Sequence, residues 1–217
     1  MLDNYSKIMR LSITVVTLLL LGACANTVTV KGKVPVPLVQ KIPLSADLIY
    51  SKEFRNYTYS EEDKARALKS LNFGNAQIDM FNDVFDAILS EPDESRQDRN
   101  LTIRPEIIDF QYTVPRETKS KLYEVWLKYR LRISNSSNQE LADWVVKGYG
   151  KTPTATFTST SSAFNSAANV ALRDVGAQLS IGFARQPSIK ALIDDNSRST
   201  KNLNEQVTTQ TKEQEDG

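Results

Sequence analysis

Histidine is absent from this 217-residue chain, and cysteine occurs once. Without imidazole there is no Ser-His-Asp or Cys-His triad, no His-ligated metal, and no side chain whose ordinary titration falls near neutral pH. A single thiol permits no internal disulfide and no cysteine-built zinc site. Glycine is scarce, at 8 residues, and no Gly-rich phosphate loop occurs; Gly148-Tyr149-Gly150 lacks the Lys and the helix start that such a loop needs. Net charge is lacking too: 27 Lys+Arg against 26 Asp+Glu leaves +1, which argues against an electrostatic nucleic-acid binder. No repeat is visible, and the length fits one folded domain with extensions.

What is present begins with an address. Leu11 to Leu21 (LSITVVTLLLL) is apolar and preceded by Lys7 and Arg10. It is about half the roughly 20 residues that a spanning helix requires, and its basic flank and small-residue exit read as a secretory signal. Met9-Arg10 would itself open a compact signal. The exit, Leu21-Gly22-Ala23-Cys24, resembles the bacterial lipobox, which implies cleavage between Ala23 and Cys24 and lipidation of Cys24, the sole thiol. Three acyl chains exceed what stable anchoring requires, so lipid alone would hold a near-neutral body at the membrane. Ala25 stands where an Asp would resemble an inner-membrane retention signal, and the resemblance therefore implies the outer membrane.

The expected domains are a signal peptide over 1–23, a lipidated tether with a Pro-rich extended segment over 24–43, one α/β domain over 44–193 and a disordered polar tail over 194–217. Pro35 and Pro37 mark the extended segment, and the tail has only Leu203 and Val207 as large apolar groups. Leu44–Tyr50 reads as a strand and Phe54–Tyr59 as a short extended piece. Ala76–Leu89 is helical, with Ile78, Phe81, Phe85, Ile88 and Leu89 at helical spacing after a Phe73-Gly74-Asn75 start. Strands follow at Ile103–Tyr112, at Lys121–Ile133, and, after an Asn/Ser turn, at Leu141–Gly148 as a hairpin partner. Gly150–Ser162 reads as a Thr/Ser-rich loop. A second helix covers Ala163–Arg185, its alanines allowing close approach to a sheet, and Pro187 stops it; Ile189, Leu192 and Ile193 add a last turn. The order β-α-β-β-β-α predicts an α+β two-layer sandwich, about four antiparallel or mixed strands with both helices on one face.

Four groups of side chains invite chemistry. Asp79, Asp83 and Asp86 share a helix side and could face a hard cation, but with no loop to wrap an ion a solvated face explains them better. Glu106 and Asp109 could form an acid–base pair, but odd spacing on a flat strand puts them on opposite faces. Ser159–Ser162 lacks both a base and a G-x-S-x-G elbow, and capping explains it better. The strongest set is Trp126, Lys128, Arg130 and Arg132 on one strand face, with Trp144 on the partner strand. Aromatic and basic residues there suit recognition of a protein or glycan; the competing reading is cross-strand pairing that covers apolar surface.

The chain as a whole resembles the small α/β domain of the TolB N-terminal part and several outer-membrane lipoproteins, among them the lipopolysaccharide-assembly, curli-secretion and Pel-polysaccharide lipoproteins. It is most similar to a group of uncharacterised proteobacterial lipoproteins. The residues that carry the resemblance are VPVPLVQKIPLSADLIYSKEFRNY, FGNAQIDMFNDVFDAIL, IRPEIIDFQY, LYEVWLKYRLRI, LADWVVKGYG and AANVALRDVGAQLSIGFARQPSIKAL, from Val34 to Leu192. The group brings no catalytic residue, cofactor or metal. It implies a non-enzymatic accessory or assembly subunit of an envelope complex, engaging another envelope protein or copies of itself. The alternative is a module binding lipopolysaccharide, peptidoglycan or exopolysaccharide.

Overall fold

Strict alternation dominates the middle of the chain, and the fold is built on it. The computed structural model describes residues 27–60, 70–91, 100–157, 159–195 and 198. The expected signal segment, Cys24 and nearly all of the expected polar tail lie outside the described residues.

Seven strands are described: β1 (Thr27–Thr29), β2 (Ser45–Leu48), β3 (Thr58–Ser60), β4 (Ser70–Asn72), β5 (Asn100–Thr113), β6 (Leu122–Ser134) and β7 (Glu140–Pro153). The helices are α1 (Lys52–Arg55), α2 (Gly74–Ile88), α3 (Pro115–Thr118), α4 (Thr160–Gly182) and α5 over 187–195. One mixed sheet runs β2-β5-β6-β7, with β2 parallel to β5 and the other pairs antiparallel. Helices α2 and α4 lie on one face of it, the expected two-layer α+β arrangement. A second, three-stranded sheet β1-β4-β3, which the sequence reading lacked, closes one end of the core; there Tyr59 and Phe73 pack on Phe110.

The inner face is filled by one residue in two. Val125, Leu127, Tyr129, Leu131 and Ile133 of β6 are all buried, as period-two alternation over a half-covered sheet requires. Phe81 and Phe85 descend onto them from α2, with Phe81 edge-on to Tyr129 at 5.3 Å between centroids. The deepest polar group described in this core, Gln77, is partnered on both sides of its amide. The Tyr129 hydroxyl donates to Gln77 Oε1 at 3.0 Å, and Gln77 Nε2 donates to the Phe54 carbonyl at 2.6 Å. Burial holds the Tyr129 phenol far above its ordinary range.

Helix α4 presses directly on the backbone of β7. A Cβ at Gly148 would stand 2.4 Å from the Ala171 carbonyl oxygen, and one at Gly150 would stand 2.1 Å from that of Ala167. The alanines of α4 and the glycines of β7 are thus two halves of one contact. This is why β7 continues to Pro153, through part of what reads as a Thr/Ser loop.

Two other expectations are corrected and one is met. Phe54 belongs to helix α1, capped by Ser51, whose Oγ accepts from the Phe54 N–H at 3.1 Å. As expected, the second helix ends before Pro187: α4 stops at Gly182, a tighter turn runs to Arg185, and Pro187 opens the separate helix α5, where its missing N–H is harmless. The expected tether is docked from Thr27 onward, since β1 pairs in parallel with β4 and Val28, Val30 and Val34 enter the core. Three valines at alternating or nearby positions were the available sign, masked by the prolines that follow.

Candidate functional site

The outer face of the β2-β5-β6-β7 sheet has no layer over it among the described residues, and the even-numbered residues of β6 project from it. Glu124, Trp126, Lys128, Arg130 and Arg132 lie in one row. From β7 the row is Asp143, Val145, Lys147, Tyr149 and Lys151, and Val145 is 39% exposed. Of the expected interaction set, Trp126, Lys128, Arg130 and Arg132 therefore share a face. Trp144 does not: it pairs with Leu131, so it turns inward, where a Cβ on Gly182 would come 2.7 Å from its ring. The turn length sets this register. Trp126 faces Tyr149 instead, with ring centroids 5.2 Å apart and 35° between planes.

Strand β5 adds a third row, and its geometry overturns the placement of Glu106 and Asp109 on opposite faces. A β-bulge between Ile107 and Asp109 absorbs Ile108, so Glu106 pairs with Arg130 and Asp109 with Lys128, both outward. Neither carboxylate is arranged as an acid–base pair. Glu106 Oε2 takes the Arg132 guanidinium at 3.5 Å, and Asp109 Oδ2 accepts from Gln111 at 3.1 Å.

Two ion pairs neutralise part of the charge on this face. Arg130 Nε lies 3.3 Å from Asp143 Oδ1, an ion-pair distance without hydrogen-bond alignment. Glu124 accepts from the Tyr149 hydroxyl and, at 3.2 Å, from Thr113. That bond to Glu124 stabilises the protonated phenol and pushes the Tyr149 pKa up to about 12. Lys128 and Lys147 differ. They stand directly opposite each other on adjacent strands, and neither forms an ion pair with another described residue. Like charges so placed repel.

These residues border a cavity of about 490 Å³ whose floor includes Trp126, Tyr149, Lys128 and Lys147. Asp174 and Gln178 of α4 form its wall by reaching over the free edge of β7. The Tyr149 N–H donates to Asp174 Oδ2 at 3.0 Å, and Gln178 donates to the Lys147 carbonyl at 2.6 Å. The edge strand is thereby denied to a pairing partner there, while the sheet face beside it stays open. The α4 residues of this wall carry no motif; only the fold shows them.

The remaining candidates stay apart from this site. Asp79, Asp83 and Asp86 lie on α2, and among the described residues no group of three His, Cys, Asp or Glu converges to hold a metal. Ser159 caps α4 by accepting from the Ser162 N–H at 3.1 Å. Gly148 and Gly150 serve the helix contact. Cys24 and Ala23 lie outside the described residues.

No family model matches this chain, and no curated protein matches it. Solved structures do. A Xanthomonas campestris protein of the DUF330 family is similar at a TM-score of 0.43 and 12% identity, over 79% of this chain and 96% of that one. A Caulobacter crescentus protein described as a candidate lipoprotein is similar at 0.41 and 7%, over 64% and 88%. A minor lipoprotein of Acinetobacter baumannii is similar at 0.38 and 12%, over 69% and 94%.

Proposed function

We propose that this protein is a lipid-anchored bacterial envelope protein, held at the outer membrane through Cys24 with its domain in the periplasm. It acts without catalysis, as an accessory or assembly subunit that engages another envelope protein or copies of itself. The observation that carries this reading is Leu21-Gly22-Ala23-Cys24 at the end of an eleven-residue apolar run, on the chain's sole thiol. The fold supports it by leaving one sheet face open, with exposed Trp126, Tyr149 and Val145, the residue types that dominate interfaces. The carboxylates weighed as an acid–base pair, Glu106 and Asp109, contact Arg132 and Gln111.

Metabolic labelling with radiolabelled palmitate tests the anchor. The wild-type protein takes up label and sediments with membranes, whereas Cys24→Ala does neither; an unlabelled wild type refutes the reading. Crosslinking in intact cells tests the accessory role, and a strictly monomeric protein without a stoichiometric neighbour contradicts it.

A second reading has its own observation. The opposed Lys128 and Lys147, neither ion-paired with another described residue, lie beside the Trp126–Tyr149 rings and suit an anionic glycan, with phosphate or carboxylate on the ammonium groups and a sugar face on the rings. It predicts saturable binding of lipopolysaccharide or an acidic polysaccharide that is lost in Trp126→Ala and in Lys147→Gln. Unchanged binding in both variants eliminates this face as the site.

A further inference from the structure

The course of the N-terminal segment fixes which end of the domain meets the bilayer. From Thr27 to Val34 the chain runs along α4. Thr27, Val28 and Thr29 line a shallow cleft with Phe157, Ser161 and Ser162 at the start of that helix. Lys31 follows, gripped by Asn165: its N–H donates to Asn165 Oδ1 at 2.7 Å, and its carbonyl accepts from Asn165 Nδ2 at 3.0 Å. Asn169 Nδ2 donates to the same carbonyl at 2.7 Å. Gly32 then passes Asn169 at φ 154°, so close that a Cβ would stand 2.4 Å from its Oδ1. Val34 arrives at Gly176, whose added Cβ would be 3.3 Å from the valine. The contacts thus climb α4 from its first turns to its later part as the chain proceeds, and read backwards they descend to its N-terminal end.

Only Ala25 and Asn26 lie between Cys24 and Thr27, three residue steps with a reach of at most about 11 Å. The same end of the molecule holds the open end of the β6–β7 hairpin. Leu122 pairs with Pro153 there, Thr154 N–H donates to the Lys121 carbonyl at 3.0 Å, and the Tyr123 hydroxyl donates to Thr160 at 3.3 Å. The hairpin turn at Asn135–Asn138 is the far end, roughly 40 Å away along β6 at ordinary strand rise.

Among its described residues, this near end presents Lys31, Lys119, Lys121 and Lys151, all exposed, and Phe157, which is 37% exposed. The described carboxylates there are occupied: Glu117 accepts from the Val114 N–H at 3.2 Å, and Glu124 holds Tyr149 and Thr113. The N-terminal end of α4 adds the positive pole of its dipole.

Resting on the lipid-anchor reading, we propose that the start of α4, the 154–157 segment and the lysines beside them form a surface that contacts the phosphates of lipid headgroups. The docked β1 segment keeps the hairpin turn pointing away from the bilayer. The domain is then oriented as well as attached, and its open sheet face meets partners side-on, along the membrane.

The test uses the acylated full chain, whose Cys24 sulfur is blocked, in vesicles containing anionic lipid and a headgroup-bound nitroxide quencher. A fluorophore is placed on Ser161→Cys, Lys151→Cys or Ser136→Cys. Loss of fluorescence at 161 and 151, with none at 136, is the expected result. Equal quenching at all three positions, or stronger quenching at 136, overturns the orientation. Inserting about twelve Gly/Ser residues between Cys24 and Thr27 adds roughly 20 Å of reach; the headgroup contact should survive it at low salt and weaken at high salt. Release at every salt concentration shows that the short link alone held the domain there and overturns the surface. Failure of the anchor reads differently, as a chain that does not co-sediment with vesicles at all, and the orientation falls with it.

Discussion

The two faces of the β2-β5-β6-β7 sheet carry the same alternation and are built for different ends. On the inner face every second side chain of β6 from Val125 to Ile133 is enclosed, and the one polar group, Tyr129, is tied through Gln77 to the backbone of Phe54. On the outer face two ion pairs form, Glu106 with Arg132 and Arg130 with Asp143. Arg104, Asp109, Lys128, Lys147 and Lys151 form no ion pair with another described residue, and Lys128 and Lys147 stand opposed beside the half-exposed Trp126–Tyr149 pair. The inner face explains why the chain folds, and the outer face is left uncovered by any described element.

Substitutions sharpen that contrast in a graded way. The largest effect belongs to the helix–strand contact: Gly150→Val puts a branched side chain where even a Cβ lies 2.1 Å from Ala167 O. The expected cost is about 3 kcal/mol or outright loss of folding, read from the urea midpoint. Next is Tyr129→Phe, which strands the buried Gln77 Oε1 and should cost about 1–3 kcal/mol. Trp126→Ala on the outer face removes a ring pair, at about 0.5–1.5 kcal/mol, while abolishing partner or glycan engagement. If Trp126→Ala destabilised more than Tyr129→Phe, the division between the faces would fail.

The smallest effect is a titration. The Tyr149 pKa is raised from 10.0 to about 12, first by its bond to Glu124. The protonated phenol is the form favoured by folding, so this contribution is complete below pH 10 and disappears as pH rises through about 12. Glu124→Gln should return the phenolate absorbance transition toward the ordinary value, and an unmoved transition contradicts the assigned cause.

The parts of the fold legible in the sequence are those where one period persists. Alternation in β6 and the helical spacing of Phe81, Phe85 and Ile88 locate their elements within a residue or two. What escaped depends on contacts between distant residues. Gly148 reads as a plain strand end and Gly150 as loop composition until Ala167 and Ala171 explain their missing side chains. The inserted Ile108 cannot be counted from sequence, yet it moves Asp109 to the face of Glu106. Trp144 follows from a register that the Asn/Ser turn leaves open, which is why only four of the five expected face residues share a side. The segment before Val34 reads as tether because its anchors, Asn165 and Asn169, are more than 130 positions away.

The central claim is the modification of the sole thiol, and the mass of the mature N-terminal peptide tests it most directly. Protein extracted from membranes should yield a peptide that begins at Cys24 and carries diacylglycerol and an N-acyl chain. A peptide that spans Ala23–Cys24 uncut, with an unmodified thiol, contradicts the account.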